Sequence, residues 1–135
     1  CAAAVCRRRH LVFLIGADPG LAAEVGADGV HWPFRLRADL RRWRDRFPVQ
    51  TLSAHTGAEL RAAARYPVDA AILSAVFPSR SPSAGEALGA LKFRELVRGT
   101  VLPVYALGGV TADTAAMAAG AAGLAAVEGM APFGA

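Results

Sequence analysis

The stretch Pro103-Val104-Tyr105-Ala106-Leu107-Gly108-Gly109-Val110-Thr111-Ala112-Asp113, running on through small residues to Gly123-Leu124-Ala125-Ala126-Val127, decides how the chain is read. Val104 to Leu107 is a short apolar strand that stops at a double glycine. A polar turn follows, then a small-residue segment expected to be helical from Ala112 to Gly120, then a second apolar strand. Having no Cβ, two adjacent glycines at the C-terminal end of a buried strand let a ligand approach the backbone closely. Their amides then face it, and a phosphate is the ligand that such amides suit. Late βα loops of a parallel barrel are where phosphate sites of this kind usually lie. A lone Gly-Gly serves equally well as a tight turn before a helix, so the neighbouring segments have to decide.

Working outward, further apolar runs precede this one: Leu11 to Ile15, Gly29 to His31, Val49 to Ala54 and Asp69 to Ala75. With Leu102 to Leu107 and Gly123 to Val127 they make six. Most are continuously apolar rather than alternating, the pattern of strands covered on both faces. Helix-like segments lie between most of them: Pro19 to Val25, Leu36 to Arg46, Ala58 to Arg65, Leu88 to Arg98 and Ala112 to Gly120. Pro19 and Thr111 stand where helices should start. Strands alternating with helices at this pace imply an α/β fold, a parallel sheet of right-handed βαβ units. A flavodoxin-like open sheet fits six strands too. The barrel is preferred because ligand-type residues follow many of the strands, as barrel active sites require. The longest loop, Pro78 to Gly85, is rich in serine and proline, and loops of that length in compact domains are often functional.

The totals narrow the class. At 135 residues, 54% hydrophobic and 19% charged, the chain is globular, and no Pro- or Ser-rich linker divides its single domain. The net charge of +4 comes mainly from Arg7-Arg8-Arg9 and the arginines between Arg35 and Arg46. No aromatic-interleaved basic motif accompanies them, so no nucleic-acid partner is expected. Arg37, Arg41 and Arg44 recur at helical spacing beside Asp45 and read as one solvated face. Cys1 and Cys6 have neither CxxC nor metal-ligand spacing, which argues against a disulfide scaffold or a zinc site and for a cytoplasmic location. Arg7 to His10 interrupt the early apolar stretch, so no signal peptide is read there. Glu128 and the glycines of the tail argue against a membrane span.

In order along the chain stand Gly26-Ala27-Asp28-Gly29-Val30-His31, then Leu52-Ser53-Ala54-His55 before a helix, and Ser74-Ala75-Val76-Phe77-Pro78-Ser79-Arg80-Ser81. Leu91 to Val97 follows, and last comes Leu102-Pro103-Val104-Tyr105-Ala106-Leu107-Gly108-Gly109-Val110 with its Gly123 strand. In content, order and spacing these pieces resemble the thiamine phosphate synthase family, including its thiazole tautomerase (TenI-like) branch. The resemblance implies a TIM barrel, in which eight strands usually take about 250 residues. The six strands here correspond to the family's third through eighth, and the first two βα units have no counterpart. A barrel short of two staves has open edge strands, and the first residue is Cys1 rather than methionine. The expectation is therefore one domain over residues 1–135 that is N-terminally incomplete, or that closes by forming a homodimer or by rearranging.

The family's chemistry joins a pyrimidine pyrophosphate to a thiazole phosphate through a carbocation, with magnesium and cationic groups absorbing the charge of the leaving pyrophosphate. The resemblance places Ala17 and Leu36 at the two metal-binding aspartate positions, with Asp18 one residue away, so the magnesium ligands are not matched. In place of the family's Thr-x-Thr-Lys the chain reads Ser79-Arg80-Ser81-Pro82, which keeps both hydroxyls and offers Arg80 as the cation. Gly108 and Gly109 match the phosphate cup. Glu128 stands where a serine is usual, and a carboxylate there repels phosphate unless neutralised. His55 falls in the motif whose histidine moves a proton on the thiazole in the tautomerase branch, work suited to an imidazole. Its other reading is a loop anchor. Ser53 faces the ligand mouth or fills a polar barrel layer, and His31 reads as a loop anchor. Trp32 and Phe34 either stack on a heteroaromatic ring or plug the emptied metal site. The expected site has His55 and Ser81 as catalytic residues and Ser53, Ser79, Arg80, Gly108 and Gly109 on the thiazole phosphate. The alternative is a non-catalytic, ligand-binding or regulatory relic that has lost the metal and pyrophosphate sites.

Overall fold

All six apolar runs become strands of one sheet, described with the rest of the chain over residues 2–81 and 85–127 by a computed structural model. The strands are β1 (Leu14–Gly16), β2 (Gly29–Trp32), β3 (Val49–Ala54), β4 (Ala70–Leu73), β5 (Val104–Ala106) and β6 (Gly123–Leu124). They pair in parallel, each with its successor, in the order β1-β2-β3-β4-β5-β6. A flavodoxin-like sheet reverses its strand order at a switch point, and this one never does. Sequential parallel strands joined by right-handed crossovers are the winding of a TIM-type barrel.

The helices are α1 (Ala2–Arg8), α2 (Pro19–Val25), α3 (Leu40–Trp43), α4 (Gly57–Ala63) and α5 (Gly89–Arg98). Asp18 caps α2 by accepting the Leu21 amide at 2.8 Å, with Pro19 as the first helical residue. Thr56 caps α4 by accepting the Glu59 amide at 3.1 Å. Neither α5 nor any other helix among the described residues is long and apolar enough to cross a membrane.

The two faces of the sheet are unequally covered, which corrects the expectation of strands covered on both faces, although the middle of β3 is buried on both. In β5, Val104 and Ala106 are 1% and 0% exposed while Tyr105 between them is 39% exposed. One face packs on the helices. Val104, Ala106, Ala71 and Leu73 meet Leu60 of α4 and Phe93 of α5. Val30, Trp32 and Leu52 meet Ala22 of α2 and Leu40 of α3. The opposite face carries His31, Thr51, Ser53, Ile72 and Tyr105, residues joined across the sheet by register. The apolar runs look continuous because alanine and glycine fill positions on both faces, and composition does not distinguish the two.

Three local expectations change. The segment expected to be helical from Leu36 to Arg46 is split into a 3-10 turn at Phe34–Leu36 and the short α3. The one expected from Ala112 to Gly120 is reduced to a 3-10 turn at Ala115–Ala118. There Thr111 starts no α-helix. Instead its amide donates to the Thr114 hydroxyl at 2.9 Å, the kind of local side-chain bond that competes with helix formation. Helix α1 was not anticipated. Its alanines favour helix, Ala3 is buried, and Arg7 and Arg8 sit at its C-terminal end, where the helix dipole favours cations.

Candidate functional site

Because the strands are parallel, their C-terminal ends and the loops that follow gather at one end of the sheet. His31 of β2 lies opposite Thr51 of β3 in register. Its Nδ1 is 2.8 Å from Thr51 Oγ1 and its Nε2 is 2.8 Å from Ser53 Oγ. Burial lowers the His31 pKa below the ordinary histidine value, which favours the neutral ring. His31 is thus no loop anchor. It sits within the sheet and joins two hydroxyls of the next strand. Thr51 and Ser53 are two residues apart and so share a face, but their pairing with His31 depends on strand register.

His55 follows the last residue of β3. Its backbone N–H donates to the Glu59 carboxylate at 2.7 Å, which ties it to the first turn of α4. Its exposed imidazole places Nδ1 3.1 Å from Ser74 Oγ and 3.2 Å from the Ser74 carbonyl oxygen. Nε2 makes no hydrogen bond among the described residues. Ser74, the residue after β4, did not stand out in the sequence as a partner for this histidine.

Gly108 and Gly109 have φ of +92° and +61°, in the left-handed region that glycine adopts without penalty. They also lie against the loop after β4. A Cβ on Gly108 would come 2.8 Å from Ala75 Cα, and one on Gly109 would overlap the Pro78 carbonyl oxygen. Hydrogen bonds bind the two loops together: the Val76 amide donates to Leu107 O at 2.9 Å and the Phe77 amide to Gly108 O at 3.0 Å. Thr114 Oγ1 donates to Gly109 O at 2.9 Å. The carbonyls are thereby used, while the amides of Gly108 and Gly109 make no hydrogen bond among the described residues.

The same β4 loop carries the serine pair, and the Ser81 amide donates to Ser79 Oγ at 3.2 Å. Ser79 is half-buried, and Arg80 and Ser81 are exposed. The structure therefore brings Gly108 and Gly109 against the start of the Ser79–Ser81 loop, Ser53 against His31, and His55 against Ser74. Pro82 and Glu128 lie outside the described residues.

The residues at the expected metal positions do not fit magnesium. Ala17 offers no ligand, and Leu36 packs against the helix-side core. Asp18 Oδ1 is engaged as the α2 cap. Asp28 accepts the Phe13 amide at 2.8 Å, and Asp69 is held by Arg44. Among the described residues no three His, Cys, Asp or Glu side chains come together as a metal site. Trp32 neither stacks at the mouth nor plugs a metal site. It is 1% exposed on the helix side, where Nε1 donates to Gln50 Oε1 at 2.8 Å.

The arginine face is more engaged than its spacing suggested. The Arg37 guanidinium lies 4.5 Å over the Phe34 ring and that of Arg41 5.7 Å over Tyr66. Arg44 makes two bonds to Asp69, at 2.9 and 3.2 Å. Burial alone would raise the Asp69 pKa. The bonds from Arg44 and the Gln50 amide, with the charge of Arg44, outweigh it and hold the carboxyl below its usual value. Asp69 also accepts the Gln50 amide at 2.7 Å, so this pair secures the start of β4 against β3, at the end of the sheet away from the mouth.

The chain is 35% identical over 133 residues to the thiamine-phosphate synthase of Geobacillus thermodenitrificans (strain NG80-2), an alignment that takes in 94% of this chain and 60% of that protein. It is 34% identical over 116 residues to the thiamine-phosphate synthase of Bacillus velezensis, covering 83% of this chain and 51% of the other. The chain thus spans between half and about 60% of the length of these curated relatives. A thiamine phosphate pyrophosphorylase from Pyrococcus furiosus has the same fold, with a TM-score of 0.76 at 24% identity over 92% of this chain and 60% of its own. FabK from Thermotoga maritima also shares the fold, with a TM-score of 0.69 at 17% identity over 86% of this chain and 40% of its own, so the architecture alone does not separate the two kinds of protein. The sequence does separate them, because the match to the family described as thiamine monophosphate synthase runs from residue 1 to residue 130, and the chain belongs to that family.

Proposed function

We propose that this chain binds a thiazole phosphate at the C-terminal mouth of the sheet and serves thiamine biosynthesis by acid–base chemistry on the thiazole ring. The phosphate lies on the amides of Gly108 and Gly109 and on the Ser79-Arg80-Ser81 loop, and the ring lies toward Ser53 and His55. His55 removes a proton from a ring carbon and a proton returns at another ring position. The double bonds shift and the atom count is unchanged, which is a tautomerisation. Condensation with a pyrimidine pyrophosphate belongs to the same family, and Ser81 and Arg80 would meet its pyrophosphate. That reaction's magnesium finds no fitting ligands among the described residues.

The observation that carries this reading is the exposed His55 imidazole, held at Nδ1 by Ser74 with Nε2 left without a partner among the described residues. A base fixed at one nitrogen presents the other in a defined direction.

A thermal melt with and without thiazole phosphate tests the binding. Ligand at about a hundred times its Kd stabilises the folded state by about 2.7 kcal/mol, a shift of several degrees in a domain of this size. Turnover lost in His55→Gln while the ligand-induced shift persists supports acid–base use of His55. A cooperative melt that the ligand leaves unmoved refutes the reading. The misfit of the metal positions favours a second reading, a binding protein without catalysis, which predicts the melt shift with no turnover in the wild type.

A further inference from the structure

We propose that the Thr51–His31–Ser53 row holds His31 as its Nε2–H tautomer, and so makes the Ser53 hydroxyl a hydrogen-bond donor that selects a ligand with a ring-nitrogen acceptor. The ligand part of this inference rests on the thiazole phosphate reading, and the tautomer part does not.

Thr51 is 8% exposed. Its hydroxyl proton needs an acceptor, because a buried donor left unpaired costs about 1–3 kcal/mol. Among the described residues the only partner of Thr51 Oγ1 is His31 Nδ1, at 2.8 Å. A neutral imidazole has one N–H and one lone pair. If Nδ1 carried the proton, Thr51 would only accept, and its own proton would have no acceptor among the described residues. If Nδ1 is bare, Thr51 donates to it and both groups are satisfied.

The proton then resides on Nε2, which donates to Ser53 Oγ across 2.8 Å. With that oxygen already accepting, the Ser53 proton is directed away from His31, on the half-buried face of the sheet at the mouth. A ligand group meeting it must accept a hydrogen bond, as the sp² nitrogen of a thiazole or pyrimidine does. Burial of His31 keeps the ring neutral and preserves the distinction between its two nitrogens. His31 is in this view a positioning residue, acting through Ser53.

Long-range proton–nitrogen correlation NMR on the uniformly 15N-labelled wild-type chain at pH 7.5 reads the tautomer directly, with His10→Gln and His55→Gln used only to assign the resonances. A protonated Nε2 with a bare Nδ1 at His31 is the expected result, and a protonated Nδ1 overturns the proposal. Calorimetric titration with thiazole phosphate then compares Thr51→Val, Thr51→Ser, Ser53→Ala and the Thr51→Val/Ser53→Ala pair. Losing one neutral hydrogen bond should weaken binding roughly two- to tenfold. Thr51→Val is expected to weaken binding, Thr51→Ser to restore it, and the double variant to bind no worse than Ser53→Ala alone. Wild-type affinity in Thr51→Val overturns the link from His31 to the ligand. A wild-type chain that does not bind thiazole phosphate removes the ligand part together with the reading beneath it, while the spectrum still decides the tautomer.

Discussion

Gly109 separates two reasons for a glycine that a sequence presents as one. If its only use were to let a phosphate approach, adding a methyl group would weaken ligand binding and leave the fold alone. Here the methyl would collide with the Pro78 carbonyl on a backbone already at φ +61°. A left-handed conformation costs a non-glycine residue roughly 1–2 kcal/mol, and overpacking typically costs a further 1–3 kcal/mol. Gly109→Ala is therefore expected to lower the urea midpoint of the ligand-free chain by an amount equivalent to about 2 kcal/mol or more. An unchanged midpoint would leave the phosphate role as the sole reason. The need for glycine was legible in the sequence, but its cause was not, because the colliding carbonyl lies some thirty residues upstream. His31 gives a second test at this scale. Its folded pKa is lowered while its unfolded value stays at about 6.5. Between those two values the unfolded chain binds more protons, so stability rises with pH through that window and falls as pH drops below about 6.5. Urea unfolding between pH 5 and 7.5 should show this slope, and His31→Gln should flatten it.

The start of α2 at Pro19 is readable from sequence, and the start of α4 shows a cap whose first turn has a second use. Thr56 caps α4 by accepting the Glu59 amide, and the Glu59 carboxylate in turn accepts the backbone N–H of His55. Thr56→Ala should cost about 1 kcal/mol of stability, as loss of an N-cap generally does, measurable by urea titration. An unchanged stability would show that water replaces the threonine oxygen at no cost. The contrasting case is Thr111, which was equally well placed as a start. It is diverted into bonds with Thr114 over a segment of small residues with little side chain to bury, and only a 3-10 turn forms. Most helical stability comes from packing an apolar face rather than from propensity. Phe93 and Leu60 give α5 and α4 such a face, and 112–120 has only the buried Ala118. That difference lies in side-chain volume, which a reading based on start signals does not weigh. Helix α1 was missed for the opposite reason: an alanine-rich start ending in arginines was weighed for targeting rather than for helix propensity.

For the whole molecule, the order of the strands followed from alternation and crossover handedness, while the state of the sheet's second face did not. Short runs of alanine, valine and glycine fit a face covered by helices and a face lining a barrel equally well. The structure shows that the second face carries a half-exposed Ile72, a Tyr105 that is 39% exposed, and the polar row around His31. Its outer strands β1 and β6 each have one strand neighbour among the described residues. A parallel edge with unpaired amides and carbonyls is a template for another strand, and a partly apolar face beside it adds a reason to associate. This 135-residue chain should therefore self-associate as concentration rises, which sedimentation velocity across the micromolar range would detect. Gly16 of β1 offers the test of where, because a side chain built there meets nothing within 4 Å and its φ lies outside the left-handed region. A charge on an edge strand discourages pairing, so Gly16→Lys should shift the equilibrium toward monomer without lowering the melting temperature. Association that is indifferent to Gly16→Lys would move the contact away from β1. A wild-type chain that stays monomeric throughout would mean that these edges attract no second strand.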